Sequence, residues 1–261
     1  MTPTFVDTHC HFDFPPFCHH ESTSLEAAAV AGVRHLIVPT VTADRFDPVL
    51  ALANAYPQVY AALGLHPLYI ARHRDEDLAL LADRLQTRSE KLVAIGETGL
   101  DLYMDAPQFD KQQQLLLAHF ALARQCSLPL ILHSRRTHDQ LAAMLRKASL
   151  PATGVVHGFA GSLSQAQAFV ALGFAIGVGG TISYERAQKT RRVMAQLPLS
   201  SLLLETDAPD MPLQGFQGQP NRPERAAQVF ATLCDLRPES PECIAQALLA
   251  NTLRVFNLPD L

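Results

Sequence analysis

Eight short apolar runs, alternating along 261 residues with stretches of helical period, predict an α/β chain whose parallel strands close into a (β/α)8 barrel. Three observations carry that expectation. The runs are rich in Val, Ile and Leu without polar alternation, as strands covered by helices on both faces require. Most are followed by enough chain for a crossover helix. His, Asp and Glu gather where the runs end, the edge at which parallel α/β folds place their chemistry. An open doubly wound sheet is the competing architecture, and closure into a barrel removes its exposed edges.

The strand-like runs lie at residues 4–9, 34–40, 59–66, 92–97, 128–133, 154–157, 174–178 and 202–207. Helical period is read over 75–87, 108–125, 138–148, 163–172 and 185–196, several of these opened by Ser, Asp or Pro and closed near Gly or Pro. Two more helical stretches, 222–235 and 241–256, would cover the last strand and close the ring. Residues 210–223 are rich in Pro and Gly, lack period, and read as a long cap on one mouth of the barrel. No linker, low-complexity segment or internal repeat divides the sequence, so residues 1–261 are expected to form one domain.

Composition narrows the function classes. With 48% apolar and 18% charged side chains the chain can bury a sizeable core. Lys and Arg number 21 against 25 Asp and Glu, a net charge of −4, so any affinity for phosphate must be local. No apolar run approaches the roughly 18 residues of a membrane span. The opening MTPTFVDTHC has neither a basic start nor a long apolar core, so no membrane partner is expected and the cytoplasm is the expected compartment. Five cysteines, with no CxxC pair among them, argue against a disulfide framework and a thiolate zinc site. Eleven histidines point instead to metal or acid–base chemistry.

The first run ends in Asp7, His9 and His11; others end in His66, Glu97, His133, His157 and Asp207. In an extended segment His9 and His11 face one side and Cys10 the other, so two imidazoles are presented together. Glu97 follows an apolar run and Gly96, where a bare carboxylate is costly unless paired or metal-bound. Taken singly, each residue has a plainer reading as a hydrogen-bonded core histidine, a helix cap or an ion pair. Together, on separate strands at one rim, they point to metal. Four His and two carboxylates exceed the three protein ligands of a single catalytic ion. Two divalent ions, about 3.5–4 Å apart, fit better, with Glu97 as the bridge.

The ordered set THCHFD, GLHP, GETGLD, LILHSR, VVHGFAG and LLLETDAP resembles the TatD family of metal-dependent hydrolases, over nearly the whole chain from Phe5 to Leu258. That resemblance implies a TIM-type barrel of the metallo-dependent hydrolase kind and a metal-dependent nuclease activity that includes 3′ to 5′ trimming of DNA. It implies His9 and His11 on a first metal, Glu97 between two, His133 and His157 on the second, and Asp207 on the first beside the attacking water. His66 would support a ligand or touch substrate, and Asp101 and Arg135 would orient ligands or bind phosphate. Thr98, Gly158 and Ala160 depart from the family's usual residues without removing a ligand.

The expected reaction is therefore hydrolysis of a phosphodiester at nucleic acid ends by a water bridging two divalent ions, with Asp207 as the base and Arg135 holding phosphate. Zn, Mn and Mg are the candidate metals. Hydrolysis of a small ester or amide on the same metal pair is the alternative. With no tryptophan, stacking against a strand would fall to residues such as Phe12, Tyr69, Tyr103 or Phe159. The chain is expected to act as a monomer.

Overall fold

The computed structural model describes residues 3–259. Its eight strands are β1 (Phe5–Asp7), β2 (Val33–Pro39), β3 (Val59–Leu63), β4 (Leu92–Asp101), β5 (Leu130–Arg135), β6 (Gly154–Val156), β7 (Ala175–Val178) and β8 (Leu202–Leu204). All neighbouring pairs are parallel and follow chain order from β1 to β8. The ring is drawn shut just beyond its shortest strands: Thr8 N donates to Leu204 O at 3.0 Å, and Cys10 bridges Ala208 in parallel register. The sequence is thus a TIM-type barrel.

Inside and outside alternate with the pleat. In β3, Val59, Ala61 and Leu63 pack in the layer beneath the helices, while Tyr60 and Ala62 point into the barrel. The interior is filled by Val6, Ile37, Val93, Ile131, Val155 and Leu203, with small Ala94 and Ala175 between them. Helix α9 (Pro241–Phe256) sends Val255 and Phe256 into the same cluster, with Leu258 just after it, and these plug the end where the strands begin. The opposite mouth is left for polar residues. Continuing the period of two places His133 beyond Ile131, His157 beyond Val155 and Glu205 beyond Leu203, all toward the axis.

Helices α3 (Asp75–Gln86), α4 (Phe109–Cys126), α5 (His138–Ala148), α6 (Leu163–Ala171) and α8 (Ala226–Leu236) lie close to the expected stretches. Two helices go beyond them. Helix α1 (Glu21–Val30) is alanine-rich with little apolar periodicity, and α2 (Phe46–Ala55) carries Pro48 in its first turn, where a missing N–H costs nothing. Helix α7 (Gln188–Gln196) begins three residues later than expected, after a 3-10 turn over Gly180–Ser183. Strand β4 runs four residues past the expected end at 97, pairing with β5 as far as Asp101 opposite Arg135. Gly99 permits this: its φ is +148°, and a Cβ there would lie 2.0 Å from His133 O. Residues 210–222 form no helix or strand and fold back on β8, where the Asn221 amide donates to Thr206 O at 2.9 Å.

Candidate metal centre

Glu97 stands at the centre of the open mouth, buried, with its two oxygens turned to different groups of imidazoles. Oε2 lies 3.1 Å from His9 Nε2 and 3.4 Å from His11 Nε2. Asp207 Oδ1 lies 3.5 and 3.6 Å from the same two nitrogens, which are themselves 3.3 Å apart. These separations match the edge of a tetrahedron with metal–ligand bonds near 2.0–2.1 Å, about 3.3–3.4 Å. On the other side, Glu97 Oε1 lies 2.6 Å from His157 Nε2, 2.7 Å from His66 Nε2 and 3.2 Å from His133 Nδ1. The six expected ligands, from β1, β4, β5, β6 and β8, therefore converge, together with His66.

Proton bookkeeping separates the two kinds of histidine. His133 gives its Nε2 proton to Asp101 Oδ2 at 2.7 Å, so in the neutral ring Nδ1 is a bare lone pair facing a carboxylate oxygen. Two acceptors at that distance need a proton or a metal ion between them, and, against burial, Asp101 and Glu97 both raise the ring's affinity for one. His66 is the reverse case: its Nδ1 accepts the Leu68 N–H at 3.0 Å, so the proton sits on Nε2 and is donated to Glu97. The first ring suits a metal, the second a hydrogen-bond donor supporting the carboxylate. His9 and His157 stack at 3.7 Å between centroids, and the buried Nδ1 atoms of His9, His11 and His157 have no partner among the described residues. The donor set fits divalent cations.

Electrostatics agree. Burial alone would raise the Glu97 carboxyl, but His157, His66 and His9 hold it well below the usual carboxylate range. Burial raises Asp207, against the pull of His157 and His11. Burial pushes Asp7 up to about 8, although Thr206 and the His9 N–H donate to it; this carboxyl ties β1 to the end of β8 rather than facing the mouth.

Asp101 is fully buried: Oδ2 takes the His133 proton and Oδ1 the Tyr103 N–H at 2.6 Å, so both oxygens are committed to positioning. Arg135 ends β5 with an exposed side chain. Sequence reasoning passed over Glu205. Its Oε1 accepts the Gly158 N–H at 2.6 Å, its buried Oε2 has no partner among the described residues, and His9 and His157 offer ligand atoms within 4.8 Å of it. Burial brings its carboxyl up to about 7. The signal was available: Glu205 precedes Asp207 by two, the spacing that paired His9 with His11.

Around this centre, arginines meet aromatic rings on the loops that follow the strands. Arg45 lies 4.8 Å from Phe14, Arg72 5.6 Å from Tyr69, Arg135 3.7 Å from Tyr103 and Arg225 3.8 Å from Phe216. A net-acidic protein thus concentrates guanidinium and aromatic groups at the mouth that holds the imidazoles.

A parallel barrel with these imidazoles and carboxylates gathered at its carboxyl end is the architecture of a metal-dependent hydrolase. The particular family follows from comparison: residues 6–257 match the model described as TatD related DNase, and the chain belongs to the TatD family. It is 62% identical over 259 residues to an uncharacterized metal-dependent hydrolase, YjjV, of Escherichia coli K12, covering 99% of this chain and 100% of that one. The crystal structure of that TatD homologue superposes with a TM-score of 0.98 at 61% identity, over 99% of this chain and 100% of that one. A TatD family hydrolase from Entamoeba histolytica shares the fold at a TM-score of 0.81 and 19% identity, with 98% and 99% of the two chains covered. Among the described residues no helix is long and apolar enough to cross a membrane.

Proposed function

We propose that this protein is a two-metal phosphodiesterase that trims nucleic acid from the 3′ end. The observation that carries the reading is the division of Glu97 between two donor sets, beneath a rim where Arg135 stands beside the ligand His133. His9, His11 and Asp207 would hold one ion, His133 and His157 the other, and Glu97 both. Divalent ions bound there would stabilise the negative charge that develops on the phosphoryl group and would lower the pKa of a water.

The chain's own groups do the rest. Asp207 turns Oδ1 to the imidazoles of His9 and His11, which leaves Oδ2, in a partly exposed side chain, to accept the proton of the attacking water. The water oxygen forms the new bond to phosphorus, the bond from phosphorus to the 3′ oxygen of the shortened strand breaks, and that oxygen takes up a proton. A 5′-mononucleotide leaves. Arg135 offers its planar fork to a non-bridging phosphate oxygen. His66 keeps Glu97 in place through its Nε2 proton, and Asp101 keeps the His133 ring turned so that Nδ1 faces inward. The description TatD related DNase supports the same substrate class.

The test is turnover by protein stripped with chelator and refilled with Zn, Mn or Mg, on 3′-labelled single-stranded DNA, on RNA and on a panel of small esters and amides. Metal-dependent release of mononucleotides from DNA is expected. Asp207→Asn should lower that rate by about 10²–10⁴-fold, the worth of a positioned base, while the protein stays folded and keeps most of its metal. Turnover of esters or amides with none of DNA overturns the nuclease reading; a near-normal rate in Asp207→Asn removes that carboxylate from the chemistry.

A further inference from the structure

Helix α4 braces the candidate metal centre with its inner face and leaves its outer face unused. Inward, the Gln112 amide pairs both ways with the backbone of Asp101, at 2.8 and 2.9 Å, and His119 takes the Leu65 N–H at 3.1 Å. Outward, Asp110, Gln114, Leu117, Ala121 and Arg124 are all exposed. Their numbers rise by 4, 3, 4 and 3, the step of a seam that two helices share, and the stripe is about 21 Å long. Leu117, at its centre, is 54% open to solvent. The other large apolar side chains this exposed among the described residues, Val30, Leu68, Tyr103 and Met211, lie at a helix end, in a 3-10 turn or in loops. Leu117 alone stands in the middle of a helix.

The chemistry along the stripe is self-complementary. Asp110 lies seven residues before Leu117 and Arg124 seven after it, so turning a second copy end for end about Leu117 brings each Asp110 to the other copy's Arg124. Gln114 then meets Ala121, large against small, and Leu117 meets Leu117. A parallel pairing would instead set like charges against each other at both ends. Among the described residues neither Asp110 nor Arg124 is in an ion pair; Arg124 gives one N–H to Ala148 O at 2.6 Å, which leaves most of its fork free. The wall beside the stripe is open as well. Helices α4 and α5 stand apart, whereas α5 packs on α6 and α6 on α7. The gap is a groove of about 450 Å³, floored by Phe120 and walled by Leu117, Met144 and Lys147. Lys147 also lacks a carboxylate partner among the described residues, and it adds positive charge at the end where Asp110 of a second copy would arrive.

We propose that this face is a contact between two copies of the chain, an isologous dimer in which the α4 helices lie antiparallel across Leu117 and each Asp110 answers Arg124 and Lys147 of the other copy. The dimer replaces the monomer expected from the sequence, and it does not depend on which substrate the metal centre takes. Its seam is short and its end contacts are ionic, so association depends on concentration and on salt.

Sedimentation velocity of the full-length, metal-loaded protein, from micromolar to near-millimolar concentration, tests the contact. The parent should pass from monomer to dimer over that range, and molar salt should weaken the dimer. Leu117→Asp should raise the dissociation constant by about tenfold or more. Asp110→Lys and Arg124→Glu each set like charges at both ends of the seam, and each should be monomeric. Mixed in equal amounts, these two variants should dimerise again, because one copy of each restores opposite charges at both ends. Mixing cannot refold a damaged chain, so recovery reports the contact and not the fold of either variant. A parent that stays monomeric at the highest concentration overturns the proposal. So does a dimer indifferent to Leu117→Asp or to the charge variants, and so does a mixture of those variants that stays monomeric.

Discussion

At the scale of single residues, ligands and supports are told apart by where each histidine proton must sit. Asp101 is the clearest support, because it touches the centre only through the His133 Nε2 proton. Asp101→Asn keeps the shape but can turn its amide toward the ring, which costs His133 the acceptor that fixes its tautomer. Metal affinity, measured by competition with a chelator, should fall about 10–100-fold with little change in thermal stability of the refilled protein. An unchanged affinity would mean that the ring is held by packing alone. The candidate ligands were legible in the sequence, because the end of an apolar run suggests both side and depth: His9, His11, Glu97, His133, His157 and Asp207 all stand at such ends. The tautomer of His66 was not, since it depends on an N–H of Leu68 in a 3-10 turn that no periodicity announces.

At the scale of elements, the helices do more than cover the sheet. His119 on α4 is wholly buried and bridges helix to barrel: its Nδ1 proton goes to Leu115 O at 2.8 Å, and its Nε2 accepts the Leu65 N–H at 3.1 Å, one residue before His66. Both nitrogens are used in the neutral form, so a second proton has nowhere favourable to go. Burial, with a smaller push from His73, lowers this imidazole to about 4. The unfolded chain takes up that proton near 6.5, so between these values it carries more protons than the folded one, and acid favours unfolding. The contribution is complete above pH 6.5 and is lost as pH falls toward 4, up to about 3 kcal/mol. His119→Gln should therefore be less stable than the parent at pH 7, with the gap shrinking steadily to pH 4.5 in urea denaturation of chelator-treated protein. Parallel curves would show that His119 is not the group being titrated. The helical period over 108–125 located this helix, but periodicity ranks residues by hydropathy and could not mark a histidine on its buried face as a strut.

Across the whole molecule, the alternation of strands and helices was more legible than the closure of the ring, because β1 and β8 are three residues each and meet through pairs nearly 200 positions apart. Such long-range contacts carry a large loop-closure cost, and here they are made by Thr8, Asp7 and Thr206 next to the candidate ligands His9 and Asp207. The same region collects the buried carboxylates of Glu97 and Glu205 and the half-buried carboxylate of Asp207, which repel one another unless protons or cations lie between them. Divalent ions joining His9 and His11 to Asp207 would clamp the first strand to the last, and they bind a geometry that the unfolded chain does not possess. Ions present at 100 times their dissociation constant should add about 2.7 kcal/mol, about 5–10 °C in Tm for a chain of this size. Thermal melts of chelated and refilled protein should differ by that much, and Asp207→Asn, with one oxygen ligand weakened at the β1–β8 junction, should show a smaller rise. Equal melting temperatures with and without added metal would mean that the folded chain takes up no ion in preference to the unfolded one, and would leave the closure of the barrel to its hydrogen bonds alone.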